Sequence, residues 1–236
     1  MVPAFVITAD HEISREALLA ALEEQLPGVE RVSAVYPSRI RVPFLERLKQ
    51  TSLARTGYAL RDGEIGVLLS NRKIWRRIVN SPGSDDQMYL ILESDSILLD
   101  SDWLYQHYQP VVRDFDLFFW GAWSGHMQLH RSSTRKYAGH VIGDAFIRSV
   151  YGAYGYCLNK KTAALLLKRT SKISYPVDQY KRFIKPGELR IGGIKPELIT
   201  HGVGESMIGH PGVDAFRRKL WMGVLDVRNA IICFFS

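Results

Sequence analysis

Cysteine is scarce: Cys157 and Cys233 are the only two in 236 residues, and they stand far apart. That argues against a disulfide framework and for a reducing compartment, the cytoplasm. Both read as small buried hydrophobes rather than catalysts. No apolar run approaches the roughly 20 residues that span a bilayer. Residues 1–10 have neither a basic n-region nor a long apolar h-region, so they do not read as a secretory signal. Phosphate-binding loops of the GxGxxG or GxxxxGK[ST] type are missing after the first apolar run, which argues against a dinucleotide fold or a P-loop. His126, His130 and His140 lack the spacing of a metal cage and read as solvated. No RNP, zinc-finger or helix-turn-helix pattern occurs and the basic residues are spread along the chain, so nucleic acid is not an expected partner.

What remains is an ordinary globular composition, 46% hydrophobic and 23% charged, long enough for one large α/β domain with a substantial core. The formal net charge of +7 favours anionic partners such as sugar nucleotides or acidic lipid head groups.

Ala4–Thr8 reads as a first strand, Arg15–Leu26 as a helix capped by Ser14 and ended by Pro27-Gly28, and Val29–Val35 as a second strand. Within that helix Ala17, Leu18, Ala21, Leu22 and Gln25 share one spacing. Such a β-α-β opening implies a parallel pair with a right-handed crossover. A helix is expected over Val42–Thr56, and another runs through Asp62–Val79. In the latter, Leu68, Trp75, Ile78 and Val79 can share a face while Arg72, Lys73, Arg76 and Arg77 form a solvated one. Gly63 and Gly66 at its start would allow close approach to a phosphate.

The organising stretch is Tyr89–Asp100, a short apolar run that stops on Glu93 and Asp95. In an extended chain residues i and i+2 point to one side, so the two acids would face one partner at a strand's carboxyl end, where α/β sheets bind ligands. Such a pair suits Mg²⁺ or Mn²⁺ carrying a diphosphate. It equally suits a solvated acidic turn.

Beyond it, Asp102 reads as the cap of a helix, Phe115–Gly121 as a strand, and 122–149 as a long surface loop. Gly152 and Tyr154 precede a further strand and helix. Glycines permit close backbone approach to a sugar, and tyrosines offer a flat face with a hydroxyl. Ordinary strand packing explains them as well.

Gly63-Glu64-Ile65-Gly66, Leu69-Ser70, Trp75 and Leu92-Glu93-x-Asp95 together resemble glycosyltransferase family 25, the lipooligosaccharide galactosyltransferases and related collagen galactosyltransferases. Tyr175-Pro176-Val177-Asp178, Pro196–Ile199 and Glu205–Ile208 continue the resemblance, which covers about residues 4–210. Two departures stand out: Asn71 where His is usual and Ser94 in place of a middle Asp.

The resemblance implies a single-domain GT-A-type α/β sandwich with a central, mostly parallel sheet. Its donor-binding half would be about 1–121, its acceptor-side half 122–210, and its tail 211–236. It further implies an inverting, metal-dependent hexosyltransferase acting in lipopolysaccharide or other surface-polysaccharide synthesis. The cofactor would be Mn²⁺ or Mg²⁺, the donor a UDP-hexose such as UDP-galactose, and the acceptor a glycan or lipid-linked glycan. Asp95 would be the main metal ligand, with Glu93 on the metal through water or on the donor, and Asp178 would be the base, a structural capping role being its other reading. Thr8, Ala9, Asp10, Arg15, Ser70, Asn71 and Glu93 would contact the donor; Tyr154, Gly152 and Trp120 would contact sugar. Ser94 and Asn71 keep open a catalytically impaired, glycan-binding relative.

Arg217, Arg218 and Lys219 beside Leu220-Trp221-Met222 suit peripheral contact with an anionic membrane. A last helix packed on the domain, followed by an apolar strand or dimer contact at 230–236, is the other reading.

Overall fold

A computed structural model describes residues 2–8, 13–122, 125–152, 154–202, 224–225 and 227–234, with side chains in the first helix from residue 16 onward. Ala9, Asp10, the Arg15 side chain, Glu205–Ile208 and the basic cluster 217–219 lie outside the described residues.

Ten strands are described: β1 (Ala4–Thr8), β2 (Glu30–Ser33), β3 (Tyr89–Glu93), β4 (Ser96–Leu98), β5 (Leu117–Gly121), β6 (Arg135–Tyr137), β7 (His140–Asp144), β8 (Gly155–Leu158), β9 (Ile191–Lys195) and β10 (Ile199–His201). Eight build one sheet in the order β2-β1-β3-β8-β5-β9-β7-β6, and β4 pairs with β10 in a short ribbon. The α/β class expected from the sequence holds. In detail the sheet is mixed: β2-β1-β3 and β5-β9 are parallel, whereas β8 and β7 run against their neighbours. Its outermost strands expose charge, Glu30 and Arg31 on β2 and Arg135 and Lys136 on β6.

Alternation along the strands feeds two cores, one on each face. Tyr89 and Ile91 of β3, Phe119 of β5 and Tyr156 of β8 point to a first face. That face is covered by α2 (Val42–Thr56), α3 (Asp62–Val79), α5 (Lys160–Arg169) and α6 (Tyr180–Phe183). Leu90, Leu92, Phe118, Trp120 and Cys157 point to a second face, covered by α1 (Ile13–Gln25) and α4 (Ser101–Val112).

Helices α2 and α3 keep the bounds expected for them, but several local expectations are corrected. Helix α1 begins at Ile13, so Ser14 is inside it rather than capping it. Its buried side chains are Leu19 and Leu22, joined by Leu26 just past its end. These bulkier residues face the sheet, and Ala17 and Ala21 face out. The cap of α4 is Asp100, whose Oδ1 accepts the Trp103 N–H at 2.9 Å, and not Asp102. The segment 122–149 is no plain loop: β6 and β7 form a hairpin that extends the sheet beyond β9. The short-period alternation is weak because β6 is an exposed edge strand. Residues 227–234 are helical rather than a strand, with Asn229 and Cys233 buried.

Gly66 serves packing, not phosphate. A Cβ there would sit 2.7 Å from the Val35 carbonyl oxygen, so the glycine lets the chain after β2 lie against α3. Arg72 is likewise no solvated cation. Its Nη1 donates to the Leu167 carbonyl at 2.8 Å and to the Thr170 hydroxyl, tying α3 to the carboxyl end of α5, where a cation suits the exposed carbonyls.

Candidate active site

Parallel strands β1, β2 and β3 end at one rim of the sheet, where β8 begins and β5 finishes. Part of this rim is closed. Ile199 of β10 crosses β5 and β8 so tightly that a Cβ on Gly121 would lie 1.7 Å from the Ile199 carbonyl oxygen, and one on Gly155 would lie 2.6 Å from its Cγ2.

Glu93 ends β3 on the first face, in phase with Tyr89 and Ile91. Ser94 and Asp95 form a turn, so the strand's alternation stops at Glu93 and cannot by itself align the two acids. The turn is pinned instead. Ser96 Oγ accepts the Glu93 N–H at 2.9 Å and donates to the Tyr154 carbonyl, and the Asp95 carbonyl accepts the Gly202 N–H at 2.8 Å. Glu93 and Asp95 are both half-buried.

Beneath Glu93 lies a closed polar chain. Trp75 Nε1 donates to the Tyr156 hydroxyl at 2.9 Å, and that hydroxyl donates to Asn71 Oδ1 at 2.5 Å. Asn71 Nδ2 donates to the Val67 carbonyl at 3.0 Å. Trp75, Tyr156 and Asn71 are fully buried. Tyr180 packs on Tyr156 with ring centroids 5.9 Å apart. Burial raises the phenol pKa of both tyrosines, and the negative charge of Glu93 pushes the same way. Tyr180 also senses Asp178, so Glu93 and Asp178 meet across one tyrosine.

Asp178 follows buried Val177 in the segment between α5 and α6. Its Oδ1 is shut off from solvent and has no hydrogen-bond partner among the described residues. Burial, and next the charge of Glu64, raise its pKa from the ordinary carboxylate value; its own N–H and that of Gly152 oppose the shift. Gly152, at φ 90°, is in the left-handed region that favours glycine.

The structure therefore gathers Glu93, Asp178, Asn71, Ser70 and Gly152 about the first face, and turns Thr8, Trp120 and Tyr154 away from it. Thr8 is buried and alternates to the second face. Trp120 also lies there, fully buried and stacked 5.5 Å from Tyr108, with no surface open to a sugar. Tyr154 is buried, its hydroxyl donating to Glu197 Oε2 at 3.1 Å. Ser70 accepts the Val35 N–H at 2.8 Å and donates to the Gly66 carbonyl at 2.7 Å, fastening the loop after β2 to α3. Sequence reasoning assigned no role to Glu64, Tyr156 or Tyr180. Glu64 had a signal, its place in Gly-Glu-Ile-Gly, whereas Tyr156 and Tyr180 look like any core aromatics until the fold places them.

A sequence profile of glycosyltransferase family 25 (LPS biosynthesis protein) matches residues 1–181. The chain belongs to glycosyltransferase family 25. Family 25 membership makes it a glycosyltransferase of lipopolysaccharide biosynthesis, and the matched span contains Glu64, Glu93, Asp95 and Asp178. No curated protein matches the chain. No helix among the described residues is long and apolar enough to cross a membrane.

Among the described residues no three metal-binding side chains gather. A cation of the Mg²⁺ class needs only one or two carboxylates when substrate phosphates and water complete its shell. Glu93 and Asp95, half-buried at the rim on a pinned turn, fit that limited demand. Cys157 is a core residue as expected, its thiol pushed up to about 12 by burial.

Proposed function

We propose that the protein is an inverting hexosyltransferase. It moves galactose or another hexose from a UDP-hexose-type donor to a glycan or lipid-linked glycan acceptor of the lipopolysaccharide class. The observation that carries this reading is Asp178, a half-buried carboxylate with one oxygen closed to solvent, its proton held more firmly than usual, and set across Tyr180 from Glu93. A single displacement needs no covalent nucleophile. The acceptor oxygen bonds to the sugar's anomeric carbon, the bond to the diphosphate breaks with its electron pair, and the acceptor proton passes to Asp178. Glu93 and Asp95 would hold Mn²⁺ or Mg²⁺, which supplies positive charge to the departing diphosphate when bound.

Both departures from the family pattern fall on buried residues, Ser94 and Asn71. Asn71 is committed to Tyr156, so the reading that these changes abolish catalysis gains no support from their positions. For the tail, exposed Val227, Ile231, Ile232 and Phe234 on the 227–234 helix support peripheral contact with an anionic membrane at the cytoplasmic face. Flotation with anionic liposomes tests that contact, and failure to co-float removes it.

The central test is release of UDP from UDP-galactose and other UDP-hexoses with Mn²⁺ present. Asp178→Asn is expected to lose about 100-fold or more in turnover, while donor with Mn²⁺ still raises its melting temperature. Undiminished turnover in this variant overturns the assignment of Asp178.

A further inference from the structure

Positive charge is left over around Asp178. Between residues 144 and 188 the acids are Asp144, Asp178 and Glu188 alone, set among many lysines and arginines. Asp144 pairs with Arg190 at 3.4 Å and Glu188 with Arg169 at 2.7 Å. Arg148, Lys181 and Arg182 have no carboxylate within ion-pair distance among the described residues.

These three cations stand on elements that meet. Lys181 and Arg182 belong to α6, and the short turn Ile147–Ser149 that carries Arg148 packs against it. The chain into α6 is tightly wound: the Gln179 N–H donates to the Pro176 carbonyl at 3.2 Å, and the Arg182 N–H to the Gln179 carbonyl at 2.8 Å. Residues three apart in such a winding are neighbours, which puts Lys181 next to Asp178.

Lys181 is half-buried and firmly seated. Its ammonium donates to the Tyr151 hydroxyl at 2.6 Å and lies 4.5 Å from the centroid of that ring. Arg182 lies over the Tyr175 ring at 5.3 Å. Both tyrosines are neutral, so they orient the charges without cancelling them. A cation partly withdrawn from water onto uncharged supports is stabilised by an anion that hydrogen-bonds to it.

We propose that Lys181, with Arg148 and Arg182 beside it, forms a binding site for an oxyanion carried by the acceptor glycan, a phosphate or a sugar carboxylate. The three cations lie beside Asp178 and not on the turn of Glu93 and Asp95, which places them with the acceptor rather than the donor diphosphate. That placement rests on Asp178 being the base; the binding of a sugar oxyanion does not.

The test follows the Tyr151 ring by NMR in the full chain with labelled tyrosine, its resonance being assigned by its absence in Tyr151→Phe. Glucose 6-phosphate and glucuronate carry the two kinds of oxyanion, glucose carries neither, and UDP stands for the donor. A sugar oxyanion is expected to shift the ring saturably while glucose leaves it in place, and the tighter of the two names the group as phosphate or carboxylate. In Lys181→Met the same ligand is expected to bind about tenfold or more weakly, the loss of one hydrogen bond to a charged group. Lys181→Arg keeps the charge and most of the affinity, and a wild-type melting temperature shows that both variants are folded. No shift with either sugar oxyanion, an equal shift with glucose, or undiminished binding in Lys181→Met overturns the proposal. Tighter binding of UDP than of either sugar gives the cations to the donor and overturns it too. No turnover is needed for this measurement. A failure here therefore leaves the transfer reading standing, and a lack of UDP release from UDP-galactose leaves the oxyanion site standing.

Discussion

Helix α3 and the segment 174–178 face each other across the first core and treat their polar groups in opposite ways. On α3 every buried polar side chain in the centre of the helix is matched: Ser70 both gives and takes a hydrogen bond, and Asn71 receives Tyr156. On the opposing segment, Asp178 keeps a buried oxygen with no partner among the described residues. Matched groups rigidify a fold, and a buried carboxylate oxygen without a partner is costly. The segment is held against a helix whose central polar groups are matched, and this division separates scaffold from reactive group.

Breaking the scaffold gives the largest effects. Tyr156→Phe leaves Trp75 Nε1 and Asn71 Oδ1 buried without their hydroxyl. We expect a loss of about 1–3 kcal/mol for each unpaired group, measured by urea unfolding. A loss below experimental error would mean that water or rearrangement replaces the phenol. Next comes Gly66→Ala, whose methyl meets the Val35 carbonyl oxygen. About 1–3 kcal/mol is expected for such overpacking, and an unchanged midpoint would show that the loop after β2 yields freely.

The smallest effect has the opposite sign. Because burial and Glu64 raise the folded-state pKa of Asp178, the native protein binds this proton more readily than the unfolded chain. Its contribution is then fully present below the unfolded carboxylate pKa and is lost as pH rises through the folded one. Asp178→Asn removes the buried charge, so its melting temperature at neutral pH should match or exceed the wild type while turnover collapses. A clear drop on calorimetry would instead make Asp178 a structural member of the loop.

How far the sequence foretold these two regions differs as well. The bounds of α2 and α3 were legible because apolar spacing and basic outer positions agree over many residues. The strand ending in Glu93 was legible from its apolar run. What local pattern could not convey was the partner of each side chain. Ser70 and Arg72 look like donor-site and surface residues until Val35 and Leu167 are brought beside them from distant parts of the chain. Trp120 reads as a sugar platform, yet strand alternation turns it to the opposite face from Glu93. Asp178 was named from the Tyr-Pro-Val-Asp match and from having no obvious salt-bridge partner nearby in sequence; its electrostatic setting depends on Glu64 and Gly152, which no periodicity connects to it.

One feature of the sheet bears on handling the protein. A ribbon fringed at both margins by exposed ionic side chains offers a second copy no dry seam to zip onto. With Glu30 and Arg31 at one margin and Arg135 and Lys136 at the other, concentrated preparations should remain clear and monodisperse long enough for lengthy spectroscopic runs.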